Sequence, residues 1–85
     1  MEKFTLINKA RSRIKVFEPF DDISKNPSII NAILISYGCA LKRSSKPVMK
    51  GSRVKSIAEA GKEYKKLLEE GWEKTYRFNS FFKKW

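Results

Sequence analysis

The 85-residue chain contains no histidine, one cysteine and three prolines. Without histidine, the Ser-His-Asp and Cys-His catalytic arrangements and His-ligated zinc or haem are excluded. The single thiol of Cys39 excludes an intramolecular disulfide and every metal site built from several cysteines. A chain of this length buries only about 60–65% of its unfolded surface, which argues against an enclosed catalytic chamber. We therefore expect a non-enzymatic protein with no catalytic residue, metal, cofactor or small-molecule substrate.

Long hydrophobic runs are missing as well. The longest apolar-rich stretch, residues 29–41, is interrupted by an asparagine, a serine and a glycine, whereas a membrane-spanning helix needs about 20 consecutive apolar residues. Residues 1–7 are too short and too polar a stretch for a secretory signal. The sequence therefore predicts cytoplasmic residence, which one unpaired cysteine also fits.

The chain has an excess of positive charge. Its 19 Lys and Arg against 9 Asp and Glu give a formal net charge of +10. A field of this sign attracts nucleic acid, anionic lipid headgroups or acidic proteins, and it does not choose among them. Residues 42–55 hold six basic residues and no acid, while residues 56–73 hold three basic and five acidic ones. The alternative is that the charge serves solubility alone.

Alternating residues predict a β-hairpin near the start of the chain. Residues 3–8 are rich in β-forming side chains, and residues 13–18 alternate apolar with polar after a polar break. Pro19 is expected to end the second strand because it has no N–H for the ladder. Residues 20–28 are then expected to form a loop, since turn-forming residues dominate them.

The second strand of this hairpin predicts the character of the sheet. Ile14 and Val16 point to one face, while Arg13, Lys15 and Phe17 point to the other. We therefore expect a sheet with one packed face and one basic face.

The middle of the chain is less regular. Its β-branched residues favour a strand over about Ala32–Leu41, and a short helix over residues 28–34 is the alternative. Residues 42–55 are predicted to be a loop because they combine a proline, a glycine and serines with the six cations. The alternative is that this loop contains a short edge strand at Val48-Met49.

A helix is the clearest element. Ser56 and Glu59 are predicted to form a capping box, in which the serine side chain accepts from the backbone three residues on and the glutamate side chain reaches back to the serine N–H. Apolar residues then recur at helical spacing, and Gly71 is expected to end the helix in the left-handed conformation. Trp72 is expected to fold back on the last turn.

Together these elements predict an α+β fold. We expect a small antiparallel sheet of three or four strands packed against one C-terminal α-helix over about residues 56–70. It forms a single domain over residues 1–78, followed by a basic-aromatic tail over residues 79–85. The expected core residues are Leu6, Ile14, Val16, Ile33, Ile35, Tyr37, Ile57, Ala60, Tyr64, Leu67, Leu68 and Trp72.

The charge distribution predicts a binding protein for an anionic partner, foremost nucleic acid, held by phosphate contacts with little base reading. The expected anion-binding residues are Lys42, Arg43, Lys46, Lys50, Arg53, Lys55, Arg77, Lys83 and Lys84. The alternative is a small subunit or regulator that docks on an acidic protein surface, since aromatic residues often anchor interfaces. Its expected partner-binding residues are Phe81, Phe82 and Trp85.

Several segments resemble an uncharacterised family of small proteins from marine unicellular cyanobacteria, over about residues 4–73. They are Phe4-Thr5-Leu6-Ile7-Asn8, Val16-Phe17-Glu18-Pro19, Pro47-Val48-Met49-Lys50 with Ser52-Arg53, and Ala60-x-x-x-Tyr64-x-x-Leu67-Leu68-x-x-Gly71-Trp72. The Gly-Trp helix end is the most specific of them. The family often has Trp near the positions of Phe4 and Tyr64, and residues 74–85 extend beyond its usual end. The resemblance implies a lineage and no activity.

Overall fold

The computed structural model of the protein describes residues 3–20 and 32–79. Within these ranges the elements follow the order β1 (Phe4–Ile7), β2 (Arg13–Phe20), β3 (Ala32–Cys39), β4 (Val48–Ser56), α1 (Ile57–Glu69) and β5 (Glu73–Thr75). The strands form one antiparallel sheet in the order β4-β3-β2-β1-β5. The predicted α+β class is confirmed. The expected strand number and the C-terminal position of the helix are wrong, because β5 follows the helix and pairs with β1.

The helix connects the two edges of the sheet. It begins directly after β4, whose last residue Ser56 pairs with Ala32, and it leads into β5, whose first residue Glu73 pairs with Ile7. Five strands span four spacings of about 4.8 Å, or about 19 Å, and the 13 residues of α1 span about 20 Å. The length of α1 therefore matches the width of the sheet. Because Ser56 and Glu73 lie at opposite ends of the strands, α1 crosses one face diagonally.

The predicted N-cap and the predicted helix-ending glycine are confirmed. Ser56 is the N-cap, and its Oγ accepts a hydrogen bond from the Glu59 N–H at 3.2 Å. At the other end Gly71 has φ +94°, its N–H donates to the Leu68 carbonyl at 3.1 Å, and the Trp72 N–H donates to the Leu67 carbonyl at 3.0 Å. This is the Schellman arrangement, which satisfies two of the last carbonyls. It turns the chain sharply enough for β5 to join the sheet.

The core lies on both faces of the sheet. On the face covered by α1, the buried residues are Leu6, Phe17, Ile33, Ile35, Ala60 and Leu67, with Phe4, Tyr64 and Trp72 packed against them. On the opposite face, Phe78 packs with Ile7, Ile14 and Val16. The expectation of one packed face and one basic face is wrong, because the face that carries Arg13 and Lys15 is also the face that buries Phe17 under the helix.

Three predicted core residues are exposed, namely Tyr37 at 37%, Ile57 at 53% and Leu68 at 43%. Leu68 lies about 100° around the helix from the buried Leu67, so it points away from the sheet. Three buried hydrophobic core residues were missed, Ile7, Phe17 and Phe78. Phe78 was left out of the expected core because the second face of the sheet was not expected to carry one.

Two predicted strand limits are also wrong. Pro19 does not end β2, which continues to Phe20 and pairs with β3 along its whole length. β1 pairs with β2 only as far as Phe17, so Pro19 has no β1 residue opposite it. A strand tolerates proline at a position where one side forms no ladder. Residues 48–55 are strand rather than loop, since β4 forms the edge of the sheet beside β3.

The remaining predictions fall partly outside the described residues. The strand predicted at about Ala32–Leu41 is confirmed to Cys39, and residues 32–34 are strand rather than helix. Residues 28–31, most of the predicted loop and nearly all of the tail lie outside the described ranges. In the part of the chain that is described, no helix has the length and apolarity to cross a membrane.

Candidate anion-binding surface

The β3–β4 hairpin carries most of the predicted anion-binding residues. Three cations lie exposed in the loop between its strands, and three more follow on the edge strand β4. We call these six the hairpin cations. They are Lys42, Arg43, Lys46, Lys50, Arg53 and Lys55. Only Lys55 has an acidic partner within the described residues.

The loop that presents the first three cations has a defined conformation. Arg43 has φ +61°, and the Ser44 Oγ accepts a hydrogen bond from the Lys46 N–H at 3.1 Å. Arg77 holds the loop from the C-terminal side, because its Nε donates to the Ser44 carbonyl at 3.0 Å and its Nη2 donates to the Leu41 carbonyl. The Arg77 guanidinium, predicted to bind anions, therefore has partners inside the protein.

A groove of about 520 Å³ opens between α1 and the β2–β3–β4 part of the sheet. Its floor comes from alternate residues of these strands, which point to the helix-covered face. Leu67, Trp72 and two glutamates complete the wall on the helix side. The charged lining residues are Arg13, Lys15, Lys50, Arg53, Lys55, Glu63 and Glu70. Five cations against two acids leave the groove with a net charge of +3.

Glu63 joins the helix to the sheet inside this groove. Its carboxylate oxygens lie 2.7 Å from the Lys55 Nζ and 3.5 Å from the Lys15 Nζ. Burial alone would raise the pKa of Glu63, but the hydrogen bond from Lys55 and the charges of both lysines outweigh it and hold the pKa below its ordinary value. Glu63 thus contacts two of the five groove cations and neutralises one positive charge between them.

The other three cations, Arg13, Lys50 and Arg53, have no acidic partner among the residues that the structure describes. Aromatic rings lie beside the cations of the groove. The Arg53 Cζ lies 5.9 Å from the Tyr37 ring centroid, and the Lys15 Nζ lies 5.8 Å from the Trp72 ring centroid. Both distances are near the outer limit of about 6 Å for a cation–π contact. The groove therefore combines uncompensated positive charge with aromatic surface.

Two glycines shape the floor of the groove. Tyr37 pairs with Gly51 and Gly38 pairs with Met49, so Lys50 is the extra residue of a β-bulge. A side chain at Gly38 would approach the Val48 carbonyl oxygen to 2.4 Å, and one at Gly51 would approach the Tyr37 Oη to 2.7 Å. The bulge turns Lys50 into the groove lining, and the bare Gly51 lets the Tyr37 ring lie across β4.

The structure brings some of the predicted site residues together and separates others. Lys50, Arg53 and Lys55 meet in the groove, Lys42, Arg43 and Lys46 lie in the adjoining loop, and Arg77 lies behind that loop. The predicted Phe81, Phe82, Lys83, Lys84 and Trp85 lie outside the described residues.

The sequence interpretation missed the other cationic and aromatic residues of the groove, Arg13, Lys15, Tyr37 and Trp72. The alternation of β2 did place Arg13 and Lys15 on one face. Alternation through residues 48–56 would have placed Arg53 and Lys55 on one face of β4. That this is also the face of Arg13 and Lys15 follows from the register between the strands.

No cluster of metal-ligating side chains occurs within residues 3–20 and 32–79. Cys39 is a free, half-buried thiol that contributes to the groove lining. The resemblance to the cyanobacterial family stays a prediction, because comparison of the chain with protein-family models, with curated proteins and with solved structures finds no match.

Proposed function

We propose that this protein is a non-enzymatic binding protein for an anionic partner, and that the partner is nucleic acid held by its phosphate backbone. One observation carries the proposal. Five of the six hairpin cations lack an acidic partner within the described chain, and they continue into a groove of net charge +3. Unneutralised Lys and Arg gathered on one surface release counterions when they meet phosphates, and this release drives binding without reading sequence.

The helix is not the recognition element in this proposal. Residues 56–73 hold more acidic than basic residues, whereas a helix that enters the major groove presents Lys and Arg to the bases and the backbone. The contacts instead come from the edge strand β4 and the β3–β4 loop, whose cations can contact successive phosphates of a nucleic-acid backbone. Cations on an edge strand also discourage pairing between sheets, so the proposal needs a test that separates binding from protection of the edge.

The test is binding of labelled single- and double-stranded DNA and RNA at about 50 and 200 mM salt, a range over which several phosphate contacts cost orders of magnitude in affinity. The variant is the triple substitution Lys46→Glu, Lys50→Glu and Arg53→Glu. Its matched control is Lys62→Glu, Lys65→Glu and Lys66→Glu, which makes the same change in net charge on exposed positions of α1.

The hairpin variant is expected to lower affinity at both salt concentrations. It should also reduce the slope of log K against log salt by about 3, one for each lost phosphate contact. The helix control should change affinity far less. Equal losses in the two variants would show that net charge alone attracts the nucleic acid. Absence of binding at the lower salt would reject the proposal and favour an acidic protein surface as the partner.

A further inference from the structure

The groove contains an aromatic surface that phosphate binding alone does not use. The Tyr37 ring lies across β4 at Gly51, and 37% of the residue stays exposed. A strand position opposite a large ring is normally filled by another side chain, whereas here the bare glycine backbone supports the ring. Tyr37 therefore presents a flat aromatic surface in a concave part of the protein.

Cations adjoin this surface on several sides. Arg53 approaches the Tyr37 ring from β4, the bulge residue Lys50 lines the groove beside Gly51, and Arg13 lines it from β2. The volume of about 520 Å³ falls within the range of about 300–1,000 Å³ that is usual for sites of small organic ligands. The groove thus has room for a planar ring together with the charged group attached to it.

We infer that the groove receives unpaired nucleotides of a single-stranded nucleic acid, with a base against Tyr37 and the adjoining phosphates against Lys50, Arg53 and Arg13. This inference rests on the proposed function and narrows its partner to single strands. Aromatic side chains beside a basic track are the arrangement by which proteins bind single strands without sequence preference. A duplex keeps its bases stacked inside, so it offers the Tyr37 ring no base face.

The backbone of the strand leaves the groove toward the loop in this arrangement. Arg13 pairs with Cys39, and Cys39 pairs with Val48, so Arg13 lies at the end of the sheet where the β3–β4 loop begins. Lys42, Arg43 and Lys46 lie in that loop. They extend the row of cations beyond the groove along the path of the following phosphates.

The first experiment uses the unaltered full chain and three labelled probes of about ten nucleotides, a length within the span that small single-strand-binding domains cover. They are a single strand of thymidines, the same strand without its bases, and a duplex. The thymidine strand is expected to bind about 5- to 150-fold more tightly than the abasic strand, which is the fold-change that stacking of one base contributes. It should also bind more tightly than the duplex.

The second experiment locates the stacking residue. Tyr37→Leu removes the aromatic face and keeps the bulk, and Tyr37→Phe keeps the face without the hydroxyl. The matched control is Tyr76→Leu, because Tyr76 is 76% exposed and does not line the groove. Tyr37→Leu should lower the affinity for the thymidine strand to that for the abasic strand. The affinity for the abasic strand should not change. Tyr37→Phe and Tyr76→Leu should bind all three probes as the parent does.

The outcomes separate this inference from the proposed function. Equal affinity for the three probes, together with weaker binding of all three by the hairpin triple variant, would overturn the groove inference and leave the phosphate-binding proposal standing. A preference for bases that survives Tyr37→Leu would also overturn it, because the stacking surface would lie elsewhere. Absence of binding to every probe at low salt would overturn both.

Discussion

The helix α1 divides one face of the sheet into two unlike halves. In the first, which we call the apolar half, the Phe4 and Phe17 rings stack at 5.2 Å and the Tyr64 ring meets them edge-on. In the second, the groove, Lys15 and Tyr37 lie on the same face of β2 and β3, two residues along from the buried Phe17 and Ile35. One half is closed by the helix and the other stays open.

This difference follows from the geometry of the helix. A single 13-residue helix laid diagonally over a five-stranded sheet covers one band of the face and leaves a corner on the β3–β4 side. The sequence places the packed Phe4, Phe17 and Tyr64 rings where α1 covers the sheet and five cations where it does not. The division between core and binding surface therefore runs across one face of the sheet, and Glu63 and Leu67 lie on the boundary.

The largest expected effect comes from the apolar half. Phe17→Ala should lower the free energy of unfolding by about 3–5 kcal/mol, because it removes a buried ring that contacts both Phe4 and Tyr64. Lys50→Ala, in the groove, should change it by less than about 0.5 kcal/mol. Urea denaturation of both variants measures the contrast. Similar losses at the two sites would contradict the division into a packed half and an open half.

A second contrast concerns glycines. Gly38→Ala should destabilise the protein by about 1–3 kcal/mol, because the new methyl group meets backbone atoms of Val48 and Met49. Gly61→Ala is the matched control, since nothing lies within 4 Å of the added atom. It should stabilise the helix by up to about 1 kcal/mol. Thermal unfolding shows whether each variant is stabilised or destabilised. An unchanged stability of Gly38→Ala would contradict the close packing of Gly38 against β4.

A third effect concerns the anchor of the loop. Arg77→Lys keeps the charge but loses the paired hydrogen bonds to the Leu41 and Ser44 carbonyls. We expect a loss of about 1 kcal/mol in unfolding free energy and weaker nucleic-acid binding, because Lys42, Arg43 and Lys46 are no longer held in place. Unfolding and binding measured on the same variant test this. Unchanged stability would instead favour a direct contact between the residue 77 charge and phosphate.

The smallest effect is expected at the boundary. Because the pKa of Glu63 is lowered on folding, its carboxylate stabilises the protein above its ordinary pKa of 4.5. This contribution is lost as the pH falls through the lower folded value. Glu63→Gln should therefore lower the free energy of unfolding by less than about 1 kcal/mol near neutral pH. It should also make the free energy of unfolding less dependent on pH below 4.5.

Glu63→Gln should also tighten nucleic-acid binding, since it leaves Lys15 and Lys55 without their acid. Opposite changes in stability and affinity would sharpen the contrast between the two halves. A fall in affinity would contradict the assignment of the groove as the anion site.

Local signals in the sequence predicted the local parts of this structure. The N-cap Ser56 and the terminating Gly71 define α1 because each acts on backbone groups within a few residues of itself. The alternation of β2 was similarly readable. The edge strand β4 was not, because its glycine, serines and cations, with Pro47 directly before them, are typical of loops and only pairing with β3 makes it a strand.

The groove was predictable only in part for the same reason. The cations of β4 were identified from their density in the sequence. Their meeting with Arg13, Tyr37 and Trp72 depends on the register of three strands and on the path of α1. These are long-range features that composition does not carry. The burial of Phe78 depends equally on the chain returning to the second face after β5.

The most direct test of the central claim is to map the contact surface on the full chain. Amide chemical shifts would be recorded while a single-stranded oligonucleotide is added at low salt. The largest changes are predicted at Arg13, Tyr37 and residues 50–53, with few changes along β1 and β5. Changes concentrated on β1 and β5, with the groove amides unmoved, would contradict the claim that the open half of the helix-covered face is the binding surface.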